Sequence, residues 1–479
     1  MSQKSLRDSV HEPARTLLVL GAWDVVVLGG GPAGIAAATA AAWQGARVLL
    51  VERYGFLGGM GTAAGVTNIC GLHANVHGEI VQVVHGVADE LLERMRALDG
   101  LSEPHLIFGR IHAQAYDMPA FKCAADQLLA AAGAQTLFHA LAAGVVRAPG
   151  GPIEALVVET KSGRAALRGR VFVDCSGDGE LAHRAGVPME KGDEAGQLLY
   201  PTLMFRVGQV DAERAGEAWR TIPQLMDEAE ASGAFRFPRR GAIVRPQKHA
   251  YEWRVNVTQL RNADGSATDG TDAWSLSAGE QEGRRQVVEY LRFLRERVPG
   301  FERAYVLDIA PQLGIRETRR LVGEVALSGA DVLGCASFRD SIGVNGWPLE
   351  QHVAGDVVWA WPPAGSRGYN QLPYRMLLPR RAGADGVDNL LVAGRCASMT
   401  HDGHSAARVS GACFAMGQAA GTAAALALAR GCAAHELPAD VLQRRLVEQG
   451  AFLGEGPSPA ARPELVERTS SGAARSTRR

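Results

Sequence analysis

The sequence predicts an α/β fold in which a parallel, helix-flanked sheet is interrupted by an inserted α+β domain. Three stretches of the 479-residue chain predict it. Residues 24–52 form an apolar run, a glycine-rich turn, an alanine-rich stretch and a second apolar run, which is the order of a βαβ unit. Residues 171–179 and 389–395 each place another apolar run before a glycine turn. Residues 200–383 show no such signature, so we assign them to the insertion.

The first unit has the spacing of a Rossmann-like dinucleotide site. A buried strand leads into Gly29, Gly31 and Gly34, which fit the GxGxxG pattern, and Glu52 ends the second strand. The first glycine makes a tight turn, the second lets the backbone approach a pyrophosphate, and the third lets helix and strand pack closely. The helix start offers free N–H donors to the phosphates, and Glu52 can accept from a ribose hydroxyl. The predicted contacts are Gly29, Gly31, Pro32, Ala33, Gly34 and Glu52.

A second glycine-rich loop follows Glu52 directly, which indicates a ligand that extends beyond an ADP-ribose. The stretch from Glu52 to Met60 (ERYGFLGGM) resembles the "ERxGFLGGM" stretch of a family of FAD-dependent oxidoreductases with a glutathione-reductase-type fold. The resemblance implies that FAD is the cofactor and that this loop follows its pyrophosphate and ribityl chain. It adds five predicted contacts, namely Arg53, Gly58, Gly59, Met60 and Thr62.

The next part of the chain alternates helix and strand patterns. The predicted elements are a helix at 117–132, strands at 135–139 and 143–146, a hairpin of 153–160 with 165–173, and a helix at 180–185. The turn at residues 174–179 resembles the "DATGDGD" motif of the same flavoproteins, although Cys175 and Ser176 replace Ala and Thr. We predict cofactor contacts by Ala142, Ser176 and Gly177.

The inserted region is predicted to cover the substrate. Strand patterns at 203–207 and 253–257 alternate with an amphipathic helix at 278–297, and 262–272 reads as a loop. Two further stretches, GIRETRR at 314–320 and LPYRMLLP at 372–379, resemble the family's "GIRETRR" and "IPYRSLIP".

These two stretches supply two candidate catalytic residues. Arg319 and Arg320 are expected on a solvated face. Arg316 either orients a substrate carboxylate or forms a structural salt bridge with Glu317 or another acid. Tyr374 is either a phenolic acid or base, or a packed core residue with a satisfied hydroxyl.

The C-terminal segment returns to the nucleotide fold. A strand and turn at 389–395 precede a helix that the pattern places over 405–430. Arg395 stands where related flavoproteins carry an acid that contacts the ribityl chain, and its guanidinium could reach a phosphate oxygen instead. The resemblance implies that the helix start near 406–409 faces the flavin N1–C2=O edge. The predicted contacts are Gly394, Arg395, Ala407, Arg408 and Val409.

Three histidines are further candidates for the flavin chemistry. His401 and His404 lie in the loop between the C-terminal turn and helix, where the family commonly has "THEA". His73 follows the glycine-rich loop and is expected on the substrate side. No metal site is predicted, because no third ligand accompanies the histidines.

The predicted domain limits follow from these motifs. The FAD-binding domain comprises 22–199, with a possible substrate-side insertion at 71–116, and 384–450; the substrate domain is 200–383; and 1–21 and 451–479 are flexible termini.

Composition limits the partners and the compartment. Lys plus Arg (50) balances Asp plus Glu (51), so no nucleic-acid partner is predicted. The seven cysteines contain no CxxC pair and suit a reducing, cytoplasmic location. No apolar run reaches the ~18 residues of a membrane span.

The predicted function is the oxidation of a small polar or heterocyclic metabolite by hydride transfer to flavin N5, in an enzyme of the dehydrogenase or oxidase type. Oxygen, a quinone or a protein would accept the electrons, and formation of a homo-oligomer is left open. Three alternatives stay open: an aromatic monooxygenase that uses FAD and NAD(P)H, a fumarate-reductase-like C=C reductase, and an FAD-carrying electron-transfer or structural subunit.

Overall fold

A computed structural model describes residues 9–381 and 386–454 of the chain. Its strands are β1 (Leu18–Leu28), β2 (Val48–Val51), β3 (Asn68–Ile69), β4 (His73–Val76), β5 (Glu79–Gln82), β6 (His105–Ile107), β7 (Ile111–Ala115), β8 (Gln135–Leu137), β9 (Leu141–Arg147), β10 (Ile153–Thr160), β11 (Gly163–Asp174), β12 (Met189–Lys191), β13 (Phe205–Gly208), β14 (Ile243–Pro246), β15 (Trp253–Asn256), β16 (Tyr305–Ile309), β17 (Arg319–Leu321), β18 (Ser341–Asn345), β19 (Leu349–Val353), β20 (Asp356–Ala360), β21 (Asn370–Pro373) and β22 (Leu390–Val392).

The helices alternate with these strands in both halves of the chain. They are α1 (Pro32–Trp43), α2 (Met60–Ala63), α3 (Val87–Ala97), α4 (Met118–Ala132), α5 (Glu180–Arg184), α6 (Ala212–Ala215), α7 (Ala218–Ala231), α8 (Ala273–Arg297), α9 (Gly329–Leu333), α10 (His401–Ala407), α11 (Ser410–Arg430) and α12 (Ala439–Glu448).

The main sheet has seven strands in the order β8-β2-β1-β11-β10-β9, with β22 beside β11. β1 pairs in parallel with β2 and β11, and β22 pairs in parallel with β11, so three segments distant in sequence share one sheet. β10 and β11 form the predicted antiparallel hairpin. The α/β fold with a discontinuous Rossmann-like domain is therefore confirmed. The predicted limit at residue 22 falls inside β1, because residues 18–21 already pair with β11.

Helices α1 and α11 pack against each other with little space between their backbones. A Cβ added at Gly417 would lie 2.1 Å from the carbonyl oxygen of Ala33, and one at Gly421 would lie 2.0 Å from that of Ala37. Only glycine lets the two helices approach so closely. Although α11 is long and apolar enough to span a membrane, 78% of its most apolar window is buried inside the fold.

The single helix predicted over 405–430 is wrong at its start. The structure has two helices there, α10 and α11, and Val409 between them adopts an extended conformation (φ −75°, ψ 165°). The amide of Gly411 donates to the carbonyl of Cys70 at 2.9 Å instead of continuing the α10 hydrogen-bond ladder. α11 therefore begins at Ser410 with an N-terminus of its own.

The inserted region contains a four-stranded antiparallel sheet in the order β14-β15-β13-β16. One face of this sheet carries Phe205, Val244 and Val255, which belong to a separate hydrophobic core with α7 and α8. That core spans residues 203–315, whereas the later apolar residues up to 378 pack into the core of the main domain. The predicted substrate domain at 200–383 is thus one unit only in its first part, because β18 packs against α11 and β21 pairs with β18.

Candidate active site

One cavity opens between the main sheet and the inserted sheet, and together with the open solvent at its mouth it comprises about 1460 Å³. The nucleotide half, as we call it, is lined by the turns after β1, β2, β11 and β22. The substrate half is lined by β14, β15, the loop around Cys70 and the segment from Trp347 to Trp359. The two halves are continuous, so a ligand in one can touch a ligand in the other.

The turn after β1 is built as the glycine pattern predicts. Gly29 has φ +99°, and a Cβ there would lie 2.5 Å from the carbonyl oxygen of Cys175. A Cβ at Gly34 would lie 1.7 Å from the carbonyl oxygen of Gly29. Both glycines are therefore required by this chain's own packing, the first between β1 and β11 and the second between α1 and β1.

Gly31 differs from these two glycines, because a side chain at this position would not clash with any other part of the protein. Its backbone is ordinary (φ −75°, ψ −176°), and a Cβ there would meet only the Cα of Gly59, at 3.7 Å. Gly31 lines the cavity and precedes α1, whose first turn has no side-chain cap. The N-terminus of α1 is uncapped, and Gly31 has no side chain to block the approach to it. A pyrophosphate binds at such a helix start, so the residues fit a bound dinucleotide.

Glu52 and Arg53 lie at the second turn of the nucleotide half. The Glu52 carboxylate accepts from the backbone N–H of Gly30 at 2.6 Å and of Tyr54 at 2.9 Å, which ties the two glycine loops together. Arg53 donates to Gln312 at 3.0 Å. Both side chains line the cavity, as do Pro32, Ala33, Gly59 and Met60.

The third turn is organised by a buried aspartate. Asp174 accepts from the Ser176 hydroxyl at 2.6 Å and from the backbone of Ser176 and Ala182. Ser176 and Gly177 line the cavity beside Gly394 and Arg395. The Arg395 guanidinium donates to the Asp178 carboxylate at 2.9 Å and is 9% exposed, so its charge is already balanced within the protein.

The remaining predicted cofactor residues lie behind this surface or at the second helix start. The Gly58 amide donates to the Gly30 carbonyl, and the Thr62 hydroxyl donates to Leu57. Val409 and Arg408 line the cavity at the uncapped start of α11. Gly34, Gly58, Thr62, Ala142 and Ala407 are not part of the cavity lining.

Four arginines and a single carboxylate line the substrate half. Arg245, Arg254, Arg316 and Arg408 line it together with Glu350. Arg408 lies 3.7 Å from the Glu350 carboxylate, whereas the other three form no ion pair with any residue that the structure describes. Burial, together with the neighbouring charge of Arg254, lowers the pKa of Arg245 to about 10. This half of the cavity is therefore strongly positive.

Glu350 stays ionised in this setting. Its carboxylate accepts from His352 at 2.8 Å and from the indole N–H of Trp347 at 3.0 Å. Burial opposes its ionisation, but the hydrogen bond from His352 and the nearby positive charges bring the pKa of Glu350 well below its usual range.

Of the predicted catalytic residues, the structure brings only Arg316 to the cavity. Its Nε donates to the Tyr200 carbonyl at 2.9 Å, and its Nη2 is buried without a partner among the described residues. The salt bridge to Glu317 considered for it does not form, because Glu317 pairs with Arg320 and His401. The expectation that Arg320 is solvated is wrong: it is 2% exposed and donates to the carbonyls of Met399 and Gly192.

The three histidines and Tyr374 lie outside the cavity lining. His401 contacts Glu317 at 3.0 Å, and His404 is fully buried with neither ring nitrogen partnered among the described residues. His73 packs edge-on against His112, and burial lowers its pKa to about 4. The Tyr374 hydroxyl donates to the Ala434 carbonyl at 2.9 Å.

Sequence reasoning missed Arg245, Arg254, Asn256 and Glu350. The first three alternate with core residues along β14 and β15, in the stretches Ile-Val-Arg and Trp-Arg-Val-Asn. Such alternation shows that polar side chains share one sheet face, but it leaves open which face meets the cavity. Within the described ranges, no three His, Cys, Asp or Glu side chains are grouped as metal ligands.

A family model matches most of the chain, and several solved structures resemble it. A family model described as FAD dependent oxidoreductase matches residues 24–446. No curated protein matches the sequence. Among solved structures, a geranylgeranyl bacteriochlorophyll reductase-like protein of Thermoplasma acidophilum is 13% identical over 90% of this chain and 84% of that chain, with a TM-score of 0.44. p-Nitrophenol 4-monooxygenase PnpA of Pseudomonas putida DLL-E4 is 12% identical over 89% and 84%, with a TM-score of 0.46.

Proposed function

The chain belongs to the FAD-dependent oxidoreductase family and uses FAD as its cofactor, and from that premise we propose that it oxidises a small polar or heterocyclic metabolite by hydride transfer to flavin N5. The observation that carries the proposal is the continuity of the nucleotide half with a substrate half that is lined by polar and aromatic side chains. A bound FAD supplies the two-electron acceptor.

The chain's own residues would bind both ligands. Gly31 and the uncapped start of α1 receive the pyrophosphate, and Glu52 lies where a ribose hydroxyl can donate to it. The start of α11 near Val409 would present the positive end of its helix dipole to the isoalloxazine. Arg395 neutralises Asp178 behind the cofactor cradle rather than adding a free charge to it.

Glu350 is the one carboxylate among the residues that line the substrate half. Because its pKa is held low, it stays ionised and accepts a hydrogen bond that orients a substrate O–H or N–H. The proton of that group passes to solvent as hydride departs from the adjacent carbon. Trp347 and His352 fix the carboxylate in place.

The experiment is an anaerobic titration of the purified, FAD-loaded protein with a panel of metabolites. Bleaching of the flavin absorbance by a substrate alone supports the proposal. Bleaching that requires NAD(P)H supports the monooxygenase, and reoxidation of chemically reduced flavin by an activated alkene supports the C=C reductase. A yellow protein that reacts with none of these is an electron-transfer or structural subunit, and a colourless protein that takes up no FAD refutes the assignment of the site.

We also propose a cytoplasmic location, which is supported by the cysteines. All seven are free, although Cys175 and Cys396 are buried near one another on neighbouring turns. The acceptor that reoxidises the flavin, whether oxygen, a quinone or a protein, is identified by adding each to the reduced enzyme.

A further inference from the structure

Two arginines lie directly opposite each other on the inserted sheet. Arg245 of β14 is the cross-strand partner of Arg254 of β15 in an antiparallel pair. Their neighbours Val244 and Val255 are buried in the core behind the sheet, which leaves both guanidinium groups on the cavity face. Like charges in this position destabilise a sheet, so the pair needs a reason other than folding.

The next member of the same row shows how this chain neutralises an arginine when no ligand is involved. Arg206 of β13 is the cross-strand partner of Arg254 on its other side. Its guanidinium lies 2.6 Å from Asp308 and 3.2 Å from Glu252. Arg206 does not line the cavity. Arg206 is thus neutralised by two acids away from the cavity, whereas Arg245 and Arg254, which line the cavity, form no ion pair among the described residues.

Several buried donors of this cluster lack acceptors. Nη2 of Arg316 and Nε of Arg254 have no partner among the described residues, and these residues are 7% and 5% exposed. A buried charged donor without an acceptor is costly, and a carboxylate satisfies two guanidinium N–H groups at once. The cluster is therefore complementary to an anionic oxygen pair.

An aromatic wall stands in the same half of the cavity. Phe108, Trp347 and Trp359 all line it, with ring centroids 4.6 Å apart for Phe108 and Trp359 and 6.1 Å apart for Trp347 and Trp359. Such faces favour stacked or edge-on contact with another ring. A ligand recognised by its charge alone would not need these aromatic side chains, so they indicate that the ligand also carries a ring.

We propose that the substrate half binds an aromatic or heteroaromatic carboxylate, with its carboxylate held by Arg245, Arg254 and Arg316 and its ring held against Phe108, Trp347 and Trp359. The inference rests on the proposed function, because it names the substrate class of that same site. Since Arg245, Arg254, Arg316 and Arg408 line this half with Glu350 as its one carboxylate, a dicarboxylate balances its net positive charge better than a monocarboxylate.

The test is a calorimetric titration of the FAD-loaded protein with phthalate, benzoate, benzamide and cyclohexanecarboxylate. We expect phthalate to bind more tightly than benzoate, and benzoate at least tenfold more tightly than benzamide or cyclohexanecarboxylate. Arg245→Gln and Arg254→Gln should each weaken phthalate binding about tenfold or more. Arg240→Gln, which removes an exposed arginine from the same segment, is the matched control and should bind phthalate as the wild type does.

Two results would overturn the inference. One is benzamide binding as tightly as benzoate. The other is loss of FAD, rather than of phthalate, from the Arg245 and Arg254 variants, which would make these arginines cofactor ligands. Failure of the proposed function gives a different result: phthalate binds as expected, but neither carboxylates nor neutral compounds bleach the flavin. If only neutral compounds bleach the flavin, the proposed oxidation stands and the proposed carboxylate substrate is refuted.

Discussion

Replacing Gly31 with alanine separates cofactor binding from folding. A methyl group at this position meets only the Cα of Gly59, at 3.7 Å, which is ordinary van der Waals contact, and the backbone is in a region that alanine adopts. The free energy of unfolding of the apo-protein should therefore change by less than about 1 kcal/mol. The methyl group would instead occupy the approach to the pyrophosphate. Overpacking of about 1.4–2.7 kcal/mol there weakens FAD binding about 10- to 100-fold.

Gly34→Ala is the matched control, three residues away in the same motif. Its methyl group would lie 1.7 Å from the carbonyl oxygen of Gly29, so we expect a loss of about 3 kcal/mol or more in folding stability. The assays are chemical unfolding of the apo-proteins and quenching of FAD fluorescence on titration. Wild-type FAD affinity in Gly31→Ala, or instability equal to that of Gly34→Ala, would refute the reasoning.

Three further variants test the candidate residues outside the cavity. His401→Ala should keep FAD, because Glu317 retains Arg320, and should slow flavin reduction less than about threefold; a loss of tenfold or more would restore the predicted catalytic role. Tyr374→Phe removes a buried hydrogen bond, so it should cost about 1–2 kcal/mol in unfolding experiments without changing flavin reduction. The pKa of His73 is about 4 when folded, so the unfolded chain binds more protons between pH 4 and 6.5. Stability is full above this window and falls by up to about 3 kcal/mol as the pH drops through it, and His73→Gln should flatten that slope.

The fold could be predicted from local patterns because each of its main elements is encoded by a short, continuous stretch of sequence. The first strand, the glycine turn and α1 are encoded within residues 24–43, and the β10–β11 hairpin within 153–174. The break at Val409 could not be predicted in this way. The sequence around it is rich in helix formers, and a contact with Cys70, distant in sequence, ends the ladder.

The cofactor cradle was more predictable than the substrate half for a related reason. A pyrophosphate is bound by backbone groups, so the sequence must supply glycines at fixed spacing, and Gly29, Gly31 and Gly34 stand at those positions. A substrate is bound by side chains, which the chain can draw from any element. Arg245, Arg254 and Glu350 come from three strands.

The sequence by itself determined the parallel sheet and the glycine turns, because these depend on backbone conformation and short-range spacing, and its resemblance to a known family implied FAD. Only the tertiary structure decided which polar side chains meet. Strand pairing places Arg245 beside Arg254. The carboxylate of Glu317 pairs with Arg320 and His401 and not with the adjacent Arg316. The physical reason is that a charge's effect depends on distance and burial, and both are set by contacts between segments far apart in the chain.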